Sequence, residues 1–282
     1  MRDISPSEID NLRTWIGRSE VAEDFVTPRL VKSLRATLFM EPGEPKIGDP
    51  VPWTTHWCFI LDIAAASEIG RDGHPKRGGF LPPVPLPRRM WAGGKTDYVD
   101  TIRVGDRLER RTEIADVVFK TGSTGQLCFV TVNHSILTGR GLAVQEKQDI
   151  VYRGEAGTTA ALVPPRPTLQ AQKTSSLIAD PVLLFRYSAV MFNGHRIHYD
   201  RDYAMNVEGY GGLVVHGPLQ AALLAEMAAQ MAGKGLKSFS HRGMSPLLDG
   251  PFTLNATETP DGLDLWTETP AGALAMKASA SW

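Results

Sequence analysis

Two imidazoles three residues apart, His195 and His198 in the stretch FNGHRIHYD (Phe192 to Asp200), are the side chains of this sequence best suited to acid/base chemistry. Histidine is the residue whose ordinary pKa lies near neutrality, so it can take up and return a proton at physiological pH. Asn193, five positions before His198, offers an amide that can hold a water. Downstream, LVVHGPLQAALLAEM from Leu213 puts Gly217 and Pro218 at the start of an apolar helix. The first amide hydrogens of a helix have no intrahelical acceptor and sit at the positive end of its dipole, where a carbonyl oxygen gaining charge would be stabilised. A base, a held water and an oxyanion site in one short segment suggest chemistry on an activated carbonyl. Other readings stay open. His198 could be a satisfied structural histidine. His195 and His198 could ligate a metal with His216 or His74, although the stretch lacks the HExxH arrangement. Asp200 could orient His198 or be a solvated loop charge.

The elements that must position these groups are partly legible. Ser5, Pro6 and Glu8 form a capping box with Pro at the first helical position, followed by Ile9, Leu12 and Ile16 on one face, with Gly17 ending the helix. Thr27-Pro28 opens a second helix through Leu38. The segment Asp72 to Gly94, with GGFLPPVPLPRR at its centre, is too rich in Gly and Pro for a helix or central strand and reads as an ordered irregular or polyproline II wall. From Arg103 the period changes to two, giving strands at Val104 to Leu108, Arg111 to Val118 and Leu127 to Leu137, with a turn at Thr121-Gly122-Ser123. Glu155 to Gln172 reads as a linker or crossover. A strand is expected at Leu183 to Ala189, then a helix from Pro218 to Ala232. Four strands follow, at Leu236 to Arg242, Phe252 to Glu258, Leu263 to Glu268 and Ala273 to Ala280. The helix carries Glu226 as its one charge and must be buried almost all round. The second half therefore reads as a helix held in a curled antiparallel sheet, and the first half as a looser version of the same plan.

Composition limits the partners. With 30 basic and 31 acidic residues among 282, and a formal charge of -1, there is no polybasic footprint for nucleic acid or an anionic membrane. Cys58 and Cys128 lie outside any CxxC pattern, so no disulfide framework or cysteine zinc site is indicated and a reducing, cytoplasmic setting is expected. The start, MRDISPSEID, is too polar for a signal peptide, and the apolar run Cys58 to Ala66 is short and carries Asp62, so no membrane span is expected.

Three groups of residues carry a family resemblance: DGHPKRGGFLPPVPLPRRMWAGG (Asp72 to Gly94), the Val104 to Leu137 stretch, and FNGHRIHYD with VVHGPL and SPLLDGPF. On these the chain resembles the MaoC-like double hot-dog hydratases and dehydratases of acyl thioesters. It is most similar to the group of type 2 3-hydroxyacyl-thioester dehydratases and mesaconyl-C4-CoA hydratases. The resemblance implies an α+β fold of two curled antiparallel sheets, each wrapped around a central helix. Residues 1–155 would form a degenerate hot-dog, 156–180 a linker, and 181–282 the hot-dog with the hydratase motif. In the wider family an Asp and a His five positions on activate a water; those positions here are Asn193 and His198, so the Asp is replaced by an amide that cannot be a base. The carbonyl-binding glycine amide maps to Gly217, after His216.

The implied activity is reversible hydration of a 2-enoyl thioester, with mesaconyl-C4-CoA first among acyl groups; itaconyl-CoA and 3-hydroxyacyl-carrier protein follow. The resemblance implies His198, Asn193 and Gly217 as catalytic, and substrate contacts from Arg88, Arg89, Tyr187, Arg196, His216 and Arg242, the arginines because phosphates and a second carboxylate need cations. No metal or redox cofactor is expected, CoA being part of the substrate. A homodimer is expected as partner state. A hot-dog thioesterase and a non-catalytic acyl-thioester binding protein are the rivals.

Overall fold

The computed structural model describes residues 4–59, 63–122, 125–154 and 164–282. Ser123 of the expected turn, the middle of the Cys58 to Ala66 run, and 155–163 of the expected linker lie outside these. In chain order the elements are α1 (Pro6–Arg13), β1 (Ser19–Phe25), α2 (Pro28–Thr37), β2 (Arg88–Tyr98), β3 (Arg107–Gly122), β4 (Gly125–Thr138), β5 (Gly141–Arg153), β6 (Lys173–Ala179), α3 (Pro181–Val190), α4 (Arg201–Asn206), α5 (Gly217–Ala232), β7 (Ser238–Gly243), β8 (Gly250–Thr259), β9 (Gly262–Glu268) and β10 (Leu274–Ser281).

Local sequence accounts for most helix ends. Ser5 and Glu8 form the reciprocal capping box at α1, and the Thr27 hydroxyl takes the Leu30 N–H at α2. α5 is followed by Gly233 in the left-handed region, φ 63°. Every residue of α5 from Leu219 to Ala228 is buried, against Leu254, Leu265, Ala278 and Phe239 on the sheet. Each leucine so buried contributes about 1.5–3 kcal/mol relative to exposure. The two polar side chains within that buried stretch are satisfied: Gln220 accepts from the Thr267 hydroxyl at 2.7 Å, and Glu226 accepts the Trp53 N–H at 2.8 Å.

The strands make one antiparallel sheet in the order β1-β3-β4-β5-β2-β7-β10-β9-β8-β6. Five strands belong to each half of the chain, and the halves join where β2 pairs with β7, from Gly93 opposite Arg242 to Asp97 opposite Ser238. The second half wraps α5; the first half contributes α1 and α2.

Three expectations are corrected. Leu183 to Ala189 is helical, not a strand: Pro181 occupies the first turn and the Asp180 carboxylate caps the Leu183 N–H at 2.7 Å. Periodicity could not separate a short apolar helix from a buried strand. The irregular wall ends at Pro87, because Arg88–Tyr98 pairs with β5 along its length, accommodating its glycines through a register shift between Trp91 and Gly93. Residues 173–179, inside the expected linker span, form β6 against β8.

Candidate active site

His198 closes a single 3-10 turn, Arg196 to His198, whose backbone is tied to the strand-like segment before α5 through Val214 N–H to Ile197 C=O at 2.9 Å. The same Val214 accepts the imidazole Nδ1–H at 2.7 Å. That bond fixes the tautomer and leaves Nε2 with its lone pair. The ring is buried, and burial, only partly opposed by the Val214 bond, holds its pKa down at about 4. At neutral pH it is an uncharged base.

His216, immediately before α5, stacks on His198 with ring centroids 3.6 Å apart and planes 20° from parallel. Its Nε2 meets the Ser188 hydroxyl of α3 at 2.8 Å, and Tyr187 of the same helix packs edge-on to its ring at 5.1 Å. Full burial and the neighbouring His198 and His195 keep it neutral. α3 thus braces the ring that braces His198. Gly217 follows at the helix start, where a Cβ would come within 3.1 Å of the Trp91 ring. The absent side chain leaves backbone alone at this end of the dipole.

Asn193 makes a contact within its own turn. Its Oδ1 accepts the His195 N–H at 2.9 Å, which shapes the turn following Phe192, a non-glycine residue at φ 49°. The amide is used locally. His195 projects beside His198, with centroids 5.4 Å apart, and beside His74, with centroids 4.1 Å apart. Burial, with His74 and His198 adding to it, takes His195 to about 2.

His74 arrives from the first half of the chain. Asp72, Gly73 and His74 dock backbone-to-backbone on the histidine turn: the Arg196 N–H donates to Asp72 C=O at 2.9 Å, and a Cβ on Gly73 would lie 1.9 Å from Gly194 O. Gly73 also sits at φ +90°. Only glycine meets both demands. The Asp72 carboxylate contacts His74 Nδ1 at 3.1 Å; burial works to raise this carboxyl, and its side-chain and backbone hydrogen bonds with His74 and the nearby imidazoles of His74 and His195 together outweigh it, leaving Asp72 below the usual carboxylate range. His74 is itself lowered, by burial first. The consistent state is an ionised Asp72 accepting from a neutral His74. Among the described residues, Asp72, His74 and His195 also form a group whose ligand atoms lie within 4.8 Å of one another, a spacing a cation could bridge.

The arginines separate. Arg89 faces the cluster: it stands opposite Tyr152 in the β2–β5 register, and its charge helps depress His74 and His195. Arg88, on the other face of β2, is held by Glu208 through its carboxylate at 3.4 Å and its carbonyl. Arg196 lies on the outside of the turn, paired with Asp200 at 2.7 Å and over the Tyr203 ring at 4.2 Å, and Asp200 caps α4 rather than reaching His198. Arg242 is exposed on β7, beside the inward-facing His241. Arg196 and Arg242, both expected to contact substrate, thus stand apart from the histidine cluster, Arg196 on its Asp200 partner and Arg242 on the outward face of β7. Sequence reasoning missed Asp72 and weighed His74 only as a metal ligand; the signal available was a DGH tripeptide at the edge of a segment otherwise built of Gly and Pro. It also missed Arg77, whose guanidinium binds the carbonyls of Val84, Leu86 and Pro87 and so fixes the Pro-rich wall.

Residues 54–249 match the family model described as hydroxyacyl-thioester dehydratase type 2. The chain belongs to that family. It is also 43% identical, over 94% of its own length and 95% of the relative's, to the mesaconyl-C(4)-CoA hydratase of Chloroflexus aurantiacus. The fold is shared with a MaoC-like dehydratase from Phytophthora capsici, at a TM-score of 0.71 and 14% identity over 97% of this chain and 98% of that one. It is shared as well with a Mycobacterium tuberculosis protein described as a double hot-dog fold, at a TM-score of 0.52 and 12% identity over 97% of each chain. This member of the type 2 dehydratase family is thus a double hot-dog hydro-lyase whose two halves are fused along β2 and β7. Its histidine cluster draws residues from both halves.

Proposed function

We propose that the enzyme adds water reversibly across the C2=C3 bond of a 2-enoyl-CoA, with mesaconyl-C4-CoA as the leading substrate. The observation that carries this reading is the free Nε2 of His198, held by Val214 beside the amides that open α5. His198 removes a proton from the attacking water, oxygen bonds to C3, and the π electrons move toward the thioester carbonyl. The Gly217 end of the helix stabilises the enolate oxygen so formed. A proton delivered to C2 restores the carbonyl and completes hydration. No metal or redox cofactor enters this scheme, and CoA arrives with the substrate. The choice of acyl group is supported by the identity to the Chloroflexus enzyme along nearly the whole chain, and by Arg89, which can meet a second carboxylate.

The cellular setting follows the sequence reading: the two thiols, Cys58 and Cys128, are free and buried, which suits the cytoplasm. Among the described residues no helix is long and apolar enough to cross a membrane. A homodimer is supported by the outermost strands, where Val21 and Phe25 of β1 and Ile178 of β6 are exposed. Light scattering on a sizing column reads that state directly.

The test of function is a panel of mesaconyl-C4-CoA, itaconyl-CoA and crotonyl-CoA, with products separated and weighed. Gain of one water with the thioester intact is the expected result. Release of free CoA would instead show a thioesterase, and unchanged substrates a binding protein.

A further inference from the structure

Hydration moves two protons: one leaves the water and one arrives at C2. His198 has a single free nitrogen, since Nδ1 is committed to Val214. Asn193, whose Oδ1 accepts the His195 N–H, is an amide and cannot exchange this proton. The carboxylate that acts on this group of imidazoles is Asp72, and it does so through His74. The loop that carries both is clamped on the histidine turn by the Arg196 N–H and by the close approach of Gly73 to Gly194, so His74 is placed by backbone contacts and not by a mobile tether.

We propose that His74, oriented by Asp72, is a second acid/base of the site and the group that exchanges the C2 proton. This rests on the hydration reading above. The Asp72 carboxylate accepts the His74 Nδ1–H, fixes the tautomer with a free Nε2, and stabilises an imidazolium there as a buried carboxylate does for a catalytic imidazole. In the hydration direction His198 Nε2 takes a proton from water as the O–C3 bond forms and the C2=C3 π pair becomes the enolate. His198 then releases that proton to solvent and His74 takes one up, so that its imidazolium, beside the ionised Asp72, carries the proton destined for C2. His74 gives it to C2, the enolate pair forms the C2–H bond and the carbonyl reforms. Both imidazoles end neutral, water has been added, and no other reactant is consumed. Dehydration runs the same steps backwards, with His74 removing the C2 proton.

The experiment compares wild type with His74→Ala, His74→Gln and Asp72→Asn on mesaconyl-C4-CoA and crotonyl-CoA. The Gln variant keeps most of the volume and an N–H toward Asp72, so it reports on chemistry even where Ala loosens the loop. Loss of kcat by about 10²-fold or more at His74, and by about 10-fold at Asp72→Asn, with KM changed less than about threefold, is expected. Imidazole added to the buffer should restore part of the His74→Ala rate. A His74→Gln enzyme as fast as wild type would overturn the proposal. So would a wild-type protein that carries a stoichiometric divalent ion, loses it on Asp72→Asn and stops turning over with chelator, because the three side chains would then be ligands. A wild type inert on every enoyl thioester would instead defeat the hydratase reading itself.

Discussion

At the residue scale the site is a set of neutral imidazoles, each held by a specific neighbour. His198 is tied to Val214, His216 to Ser188 and His74 to Asp72. On the proposed mechanism the His198 ring takes the proton of the attacking water, so replacing it by Ala should lower kcat by about 10² to 10⁴, a loss larger than any accompanying change in melting temperature would explain. Steady-state kinetics alongside a thermal melt separates the two effects. Asn193 should behave otherwise. Its Oδ1 holds the His195 amide, so Asn193→Ala should destabilise by about 1 kcal/mol and slow turnover together, whereas Asn193→Asp keeps an acceptor at the same place and should retain the fold. A denaturant midpoint for the two variants decides between a turn-forming and a water-holding amide: an Ala variant of unchanged stability with lost activity would favour the latter.

At the scale of elements the close contact between two loops does most to assemble the site. Gly73→Ala would drive a Cβ to 1.9 Å from the Gly194 carbonyl and force an L side chain to φ +90°, so the Asp72–His74 loop must lift. Activity should fall at least as far as in His74→Ala while the α5 core, remote from this contact, keeps the protein folded; circular dichroism with kinetics tests this. The same contact explains what could be read from the chain and what could not. The caps at Ser5 and Thr27 announced α1 and α2, because a cap is a local arrangement of donors and acceptors, and Pro218 in the first turn announced α5. His198 and Gly217 were legible for the same reason, lying in one segment. Asp72 was not, since its contact with Arg196 joins residues from opposite halves and leaves no periodic trace. Leu183 to Ala189 was misjudged because seven mostly apolar residues suit either a buried strand or a short buried helix, and the Asp180 cap decided it.

At the scale of the whole molecule, burying histidines without charge has a cost that depends on pH. Folding lowers the pKa of His74, His134, His195, His198, His216 and His241, in each case by burial first. Between the unfolded value near 6.5 and the lowered folded values, the unfolded chain binds more protons, so stability falls as pH drops through this window and is full above it. Glu226 has the opposite sign: burial raises it to about 7, which favours the fold as pH falls from there toward the ordinary carboxylate range. One carboxyl against six imidazoles leaves the net direction unchanged. Urea midpoints should therefore decline steadily from pH 7 to pH 4, with proton uptake on unfolding; a flat profile would mean that the imidazoles are solvated.

The claim on which the rest depends is that His198 drives addition of water to an enoyl thioester. Its most direct test is turnover of mesaconyl-C4-CoA in water enriched in both ¹⁸O and deuterium, followed by mass spectrometry of the intact thioester, for wild type and His198→Ala. The wild type should place one ¹⁸O at C3 and one deuterium at C2 with CoA still attached, and the variant should do so at least about 10²-fold more slowly. Label appearing in a released free acid, or equal rates for the two proteins, would contradict the account.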